Sequence, residues 1–392
     1  MTTEVLLDAS PFGARALTLR EEIPVRLLHA FSTRSTPQLG QLVAAKAGRR
    51  DPRLGGQICD LGSLGKALLP VRDRARPEGS LFGAVVRREA EGHKMPLLSD
   101  KPSLRLPAAT VGEGGDPRPG PMGLMEPEEG LPTLPQKPGA WDDTPPAVRL
   151  LTLASDKSTM AVVCSTGELA AQVAPYVPEG IALEVADGLP QLFDEAVDDA
   201  LARTVPLDDG GSLVIDETEA LTTVDVDLGT TSGQSKKGAG DKLRRQAVDA
   251  LGASLSLRAI GGQVVLDLPR SAVRAPKMLR DQLTAALKSD GLVSIPAVTK
   301  EGLVVLLFGK GRTSLLRDLT VEEGGDVRPG LNLTPELVAW RAWDQAIRDA
   351  EQDGARAPTV SLSPGAQACW DKAGASPAFQ ERFRLDPKLQ IV

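Results

Sequence analysis

The first 105 residues are a succession of short apolar or alternating runs, each cut by Gly or Pro, which predicts strands rather than helices. Glu4–Asp8 is apolar, Ala14–Leu19 alternates and Val25–Phe31 follows Pro24, with a turn at 11–13. Further strands are expected at Gln41–Ala47, Gly56–Leu61, Ala67–Pro70, Ser80–Arg88 and Lys94–Leu98. Their near-regular spacing predicts a small five-stranded barrel. Residues 106–147 then lose all periodicity and fill with Gly and Pro, as a linker does. Trp141 at its end is placed to pin the linker to a folded part.

From residue 148 the pattern changes to alternating strands and helices, the signature of an α/β unit. It opens with a strand at Arg149–Leu153 and runs through Met160–Cys164, Gly167–Val173, Ile181–Val185 and a helix at Leu189–Thr204. Between residues 210 and 310 a helix is expected at about Asp241–Leu257 and another around Ala275–Lys288. Two strands follow at Leu292–Ala297 and Leu303–Phe308. Thr334 and Pro335 start a later helix with an apolar stripe of Leu337, Trp340, Trp343 and Ile347. That Trp pair serves a core more often than a stacking platform. Residues 358–392 read as a small cap of helix and strand.

Two apolar strands in this α/β part end on carboxylates. Leu213, Val214 and Ile215 run into Asp216, and after Leu221 the chain alternates to present Asp225 and Asp227. Val264, Val265 and Leu266 run into Asp267. Each strand is led by Gly-Gly, at 210–211 and 261–262. A carboxylate at the end of an apolar strand is costly to desolvate unless it is paired or bound to metal. Two such ends, a helix apart, suggest a Mg²⁺ site, because Mg²⁺ takes one or two carboxylates and keeps several waters.

Composition narrows the chemistry. With 392 residues, two to three domains are expected. The net charge is −7, against the basic balance of a protein that coats nucleic acid. Between Lys236 and Arg280, however, ten Lys and Arg meet three Asp, either a solvated helix face or a groove for phosphates. The three cysteines form no Cys-x-x-Cys pair, so neither a zinc cage nor a disulfide framework is expected. The two histidines, His29 and His93, carry no local nucleophile motif. The start of the chain lacks a basic, apolar leader pattern, and the apolar run Leu303–Phe308 is far short of a membrane span. A cytoplasmic location with no membrane span is the expectation.

The stretch from Gly210 to Asp227 resembles the catalytic signature of the ribonuclease E/G family, and Ile260 to Asp267 resembles its second metal strand. Leu192-Phe193-Asp194 and Ala202–Leu207 are similar to the segment that precedes the signature. Asp60-Leu61-Gly62 and Leu68-Leu69-Pro70 are similar to the family's S1 barrel. The resemblance is specific over about 189–304, weaker but in register over 3–105, and only suggestive past Arg312.

This resemblance implies a multidomain α/β protein: an S1-type barrel with ribonuclease H-like and DNase I-like α/β subdomains. The implied parts are 1–36 completing the ribonuclease H-like subdomain, 37–105 the barrel and 106–147 the linker. They continue with 148–208 as the ribonuclease H-like subdomain, 209–319 as the DNase I-like catalytic subdomain and 320–392 as the C-terminal region. It also implies Mg²⁺-dependent cleavage of single-stranded RNA, with Mn²⁺ as a substitute, by Asp225 and Asp267 as metal ligands. Asp227 stands where the family has Asn beside the metal, so a non-catalytic RNA-binding protein on the same fold is the alternative. Lys94, Arg244, Arg245, Lys310 and Arg312 are the implied phosphate contacts. Ile58 and Leu68 stand at positions of two RNA-stacking aromatics, and the motifs of the 5′-end sensor and the zinc link are missing. Sensing of a 5′-monophosphate is therefore not expected, and any homo-oligomer would form without a zinc link.

Overall fold

The computed structural model describes residues 2–70, 75–92, 94–100, 134–141, 144–208, 210–227, 239–268, 276–287, 292–309, 313–322, 327–328, 330–353 and 356–392. The chain opens with an antiparallel meander of β1 (Thr3–Ser10), β2 (Gly13–Arg20) and β3 (Ile23–Phe31). Then come β4 (Leu42–Asp51), β5 (Gly56–Asp60), β6 (Lys66–Pro70), β7 (Leu81–Arg88) and β8 (Leu97–Ser99). These neighbour one another in the order β5-β6-β8-β7-β4, and β4 pairs back to β5, closing a five-stranded barrel. Closure removes the unpaired edges that an open sheet of this size would present. Small and apolar side chains fill it, among them Val43, Ala45, Cys59, Ala67 and Phe82.

A short strand β9 (Gly139–Ala140) pairs edge-on with Val43 and Ala44 of β4, beside the stretch Lys46–Asp51 that pairs with β5. Trp141 follows it and packs with Leu42 and Val85. The ring lies so close to Gly83 that a Cβ there would sit 2.1 Å from it. Much of the expected 106–147 linker lies outside the described residues.

The chain next forms α1 (Pro146–Ala154), β10 (Thr159–Cys164), α2 (Gly167–Val173), β11 (Ala182–Val185) and α3 (Leu189–Leu201). The strand expected at Arg149–Leu153 is therefore part of a helix. Val148, Leu151 and their neighbours Ala147, Leu150 and Ala154 are buried at helical spacing behind Pro146 at the first turn. A short apolar run is ambiguous in period, and its packing against the sheet decides. β11, β10 and β1 run parallel and join the meander as one five-stranded sheet, β11-β10-β1-β2-β3. α1 and α2 cover one face of it. Phe193 of α3 lies in the core on the other face.

A second sheet contains β12 (Thr204–Pro206), β13 (Ser212–Glu217), β14 (Thr222–Asp227), β15 (Gly262–Asp267), β16 (Leu292–Val298) and β17 (Leu303–Phe308). Its order is β12-β13-β14-β15-β17-β16. All its neighbours are antiparallel except β14 and β15, which run parallel. A parallel pair needs a long crossover, and the chain supplies it with α4 (Ala239–Leu257). α5 (Pro276–Leu287) joins α4 on the same face, where Val248, Leu251, Leu279 and Leu283 pack on Val224, Val264 and Leu266.

The remainder comprises α6 (Leu315–Leu319), β18 (Thr320–Val321), β19 (Asn332–Leu333), α7 (Pro335–Gln352), β20 (Thr359–Leu362), α8 (Pro364–Lys372), α9 (Ala375–Phe383) and β21 (Lys388–Ile391). α7 brings Trp340 and Trp343 against Phe12, Phe193 and Trp370 in the largest core of the molecule. The Trp pair is core. No helix among the described residues is long and apolar enough to cross a membrane.

Candidate active site

The second sheet is helix-covered on one side only. β14 alternates strictly: Thr222, Val224 and Val226 are buried while Thr223, Asp225 and Asp227 are exposed. β15 does the same, burying Val264 and Leu266 and exposing Gln263 and Asp267. Period-two alternation sends every second side chain to the uncovered face. The turn between β13 and β14 fixes which ones, because Thr218 N–H donates to Leu221 O at 3.0 Å and the Thr218 hydroxyl donates to it at 2.7 Å.

The parallel register then sets Asp225 directly beside Asp267. Strands in a ladder lie about 4.8 Å apart, so the two carboxylates are side by side on the open face. Neither has a hydrogen-bond or ion-pair partner among the described residues. Asp216 shows the contrast: it accepts two bonds from Arg203, at 2.6 and 2.7 Å. That pair holds the Asp216 carboxyl below the usual range, chiefly through the hydrogen bonds from Arg203. Asp227 is two residues beyond Asp225 on the same face, opposite Ser212.

The end of β15 is pinned by a glycine. Leu268 N–H donates to Gly302 O at 3.1 Å. Gly302 has φ +119°, and a Cβ on it would sit 2.0 Å from Leu268 O and 3.7 Å from Asp267 Oδ1. Only glycine fits a backbone that turns this close to the second aspartate.

Two like charges on adjacent strands repel unless a cation sits between them. The donor set suits Mg²⁺, which accepts two carboxylates and fills its octahedron with water. A cage of three or more His, Cys, Asp or Glu is not found among the described residues. Asp225 and Asp267 also stand at the carboxyl ends of the parallel pair, where open α/β sheets take ligands.

At the opposite ends of the same strands a cleft opens between the sheet and the barrel, with about 140 Å³ open to water. The barrel side contributes Arg88, Glu91 and Lys94, and the sheet side contributes Glu217, Glu219 and Arg317. Lys94 therefore does not adjoin the aspartates; its Nζ lies 3.4 Å from Glu91 Oε2. Arg317 bridges the cleft, donating to Glu91 Oε1 at 2.5 Å and to Thr218 O at 2.5 Å. Sequence reading missed Glu91 and Arg317, which are 226 positions apart. No local motif marks either one.

Ile58 and Leu68 are directly opposed partners on β5 and β6, both half-buried on the barrel. They form an aliphatic step where the resemblance implied aromatic rings. Arg244 and Arg245 fall on α4, but their side chains lie outside the described residues, as do Lys310, Arg312 and His93. His29 is structural: its ring stacks on Phe31 at 5.5 Å with both nitrogens buried. Burial, then Arg15, Arg34 and Arg341, hold it neutral by lowering its pKa.

The sequence model of the Ribonuclease E/G family matches residues 166–307, which include both aspartate strands. Over that segment the chain is similar to the ribonuclease E/G family. It is 33% identical over 138 residues to the chloroplastic ribonuclease E/G-like protein of Arabidopsis thaliana, covering 33% of this chain and 14% of that one. Ribonuclease E of Escherichia coli is 31% identical over 115 residues, 29% of this chain and 11% of its own length. Ribonuclease G of Salmonella typhimurium is 36% identical over 186 residues, 45% of this chain and 38% of its own. The chain thus spans well under half the length of these relatives.

Proposed function

We propose that this protein is a Mg²⁺-dependent endoribonuclease acting on single-stranded RNA, with Asp225 and Asp267 as the metal ligands. The observation that carries the reading is their register: two aspartates, without a partner among the described residues, side by side on one face at the carboxyl ends of a parallel pair. On this reading the second sheet is a DNase I-like catalytic subdomain within 209–319. The sheet made by residues 1–36 and 148–208 is a ribonuclease H-like subdomain, 37–105 an S1-type barrel, 106–147 a linker and 320–392 a C-terminal region.

Asp225 and Asp267 would hold the cation, which would offset the repulsion between their adjacent carboxylates. The metal, when bound, orients water and stabilises charge on the scissile phosphate. β15 holds Asp267 rigid through Gly302. Phosphates elsewhere on the strand are taken by Lys94 and by Arg244, Arg245, Lys310 and Arg312. Mn²⁺ replaces Mg²⁺, and no zinc is required.

The test is cleavage of an unstructured RNA with Mg²⁺. Asp225→Asn and Asp267→Asn should each lower the rate by about 10²-fold or more. Full activity in both variants overturns the reading. Asp227 favours a second reading, an RNA-binding protein that does not cut, because a third carboxylate on the same face repels the phosphate. Metal-independent RNA binding without any cleavage supports it, and cleavage gained in Asp227→Asn identifies Asp227 as the cause.

A further inference from the structure

The cleft between barrel and sheet is lined by three cations and three carboxylates: Arg88, Lys94 and Arg317 against Glu91, Glu217 and Glu219. A path for a polyanion would carry an excess of cations. Here the balance is even, and the geometry shows how it is kept. Glu91 uses one oxygen on Arg317, at 2.5 Å, and the other on Lys94, at 3.4 Å. Two acceptor oxygens held by two cations from opposite walls is the arrangement that a phosphate group would adopt in the same place. Arg317 is held in reach independently of Glu91, because its second nitrogen donates to Thr218 O. The seat therefore persists when the carboxylate leaves. Arg88 lines the same cleft with its Nε buried and without a partner among the described residues. Glu217, on the same lining, has its pKa raised by burial against the Ser314 hydrogen bond and the pull of Arg317, Arg328 and Arg258.

Resting on the reading above, we propose that Glu91 is an internal occupant of an RNA phosphate seat formed by Arg317 and Lys94. Single-stranded RNA enters the cleft by displacing the Glu91 carboxylate. In its absence Glu91 clasps the barrel to the sheet. The strand residues that line the cleft, Thr222 and Gly262, stand three and five positions before Asp225 and Asp267, about 10 and 16 Å along their strands. Glu91 is thus a brake on binding, and Arg317 a phosphate contact that the local sequence does not announce.

The two halves of the clasp make opposite predictions. Binding of a labelled unstructured RNA is measured in EDTA, so that no cleavage occurs, across a salt series. Glu91→Gln should tighten binding several-fold at low salt and steepen the salt dependence by about 0.7 for each phosphate newly engaged. Arg317→Gln breaks the same ion pair but should weaken binding and flatten that slope. In the double variant the gain from Glu91→Gln should vanish. If the two single variants move binding in the same direction, or Glu91→Gln leaves it unchanged, the clasp is only a structural link and the inference is overturned. Wild-type protein that cleaves RNA under Mg²⁺ keeps the functional reading standing in that case. Wild-type protein that neither binds nor cleaves RNA removes both.

Discussion

Single residues hold the sheets together through charges buried far from the candidate site. Arg15 is fully buried on β2, donating to Asp8 at 2.8 Å, Asp344 at 2.6 Å and Asp194 at 3.3 Å. Its guanidinium also lies between the rings of Phe193 and Trp340, 4.8 and 5.0 Å from their centres. Burial pushes Asp344 up from 3.8 to about 7, against the pull of Arg15 and with help from Asp8 and Asp194. A carboxyl whose pKa is raised by folding stabilises the protein at low pH and loses that contribution as pH climbs through the folded value. Wild-type stability should therefore fall relative to Asp344→Asn between about pH 4 and pH 7. Urea midpoints of the two proteins across that window check it, and parallel curves would contradict it.

At the scale of elements, the candidate site is a property of two strands and the turn that ends the second. β14 alternates in sequence as in structure, so the shared face of Asp225 and Asp227 was legible from spacing, whereas Val264-Val265-Leu266 is a continuous apolar run and only the fold shows Asp267 exposed on that face. That the two acidic ends come together was expected from the sequence; the parallel register that sets Asp225 beside Asp267 was not, because it depends on where the α4 crossover returns the chain. Arg149–Leu153 shows the reverse failure, an apolar run too short to declare its period until α1 packed on the sheet. Gly302 is the element-level weak point. In Gly302→Ala the new Cβ would meet Leu268 O, so the β16–β17 turn must move and take Asp267 with it. A loss of about 1–3 kcal/mol in stability is expected from the strained backbone. On the proposed function a fall in Mg²⁺-dependent RNA cleavage should accompany it, whereas Gly167→Ala, with no atom within 4 Å of the new Cβ and no positive φ, should leave cleavage nearly unchanged.

For the whole molecule, the relation of barrel to body rests on a second ion cluster. Arg34, just after β3, donates to the Asp318 side chain at 2.5 Å and to Asp318 O at 2.9 Å. It also approaches Glu89 and Glu336, each at 3.8 Å. Glu89 lies just beyond β7 of the barrel, and burial together with Asp318 pushes it up to about 7. Arg34→Met leaves these half-buried carboxylates facing one another and should cost about 3 kcal/mol. Amide exchange should quicken at the barrel's contact with α6 while β13–β15 stay protected, and uniform exchange across both would contradict it.

The sequence by itself determined most of the strands, the barrel and the Gly-Gly-led acidic ends, because alternation and turn chemistry act over a few residues. The tertiary structure alone decided which of those residues meet. Asp225 reaches Asp267 through a crossover, Glu91 meets Arg317 across 226 positions, and Arg15 meets Asp344 across 329. Such pairings depend on how separate hydrophobic faces pack, and no local pattern encodes that.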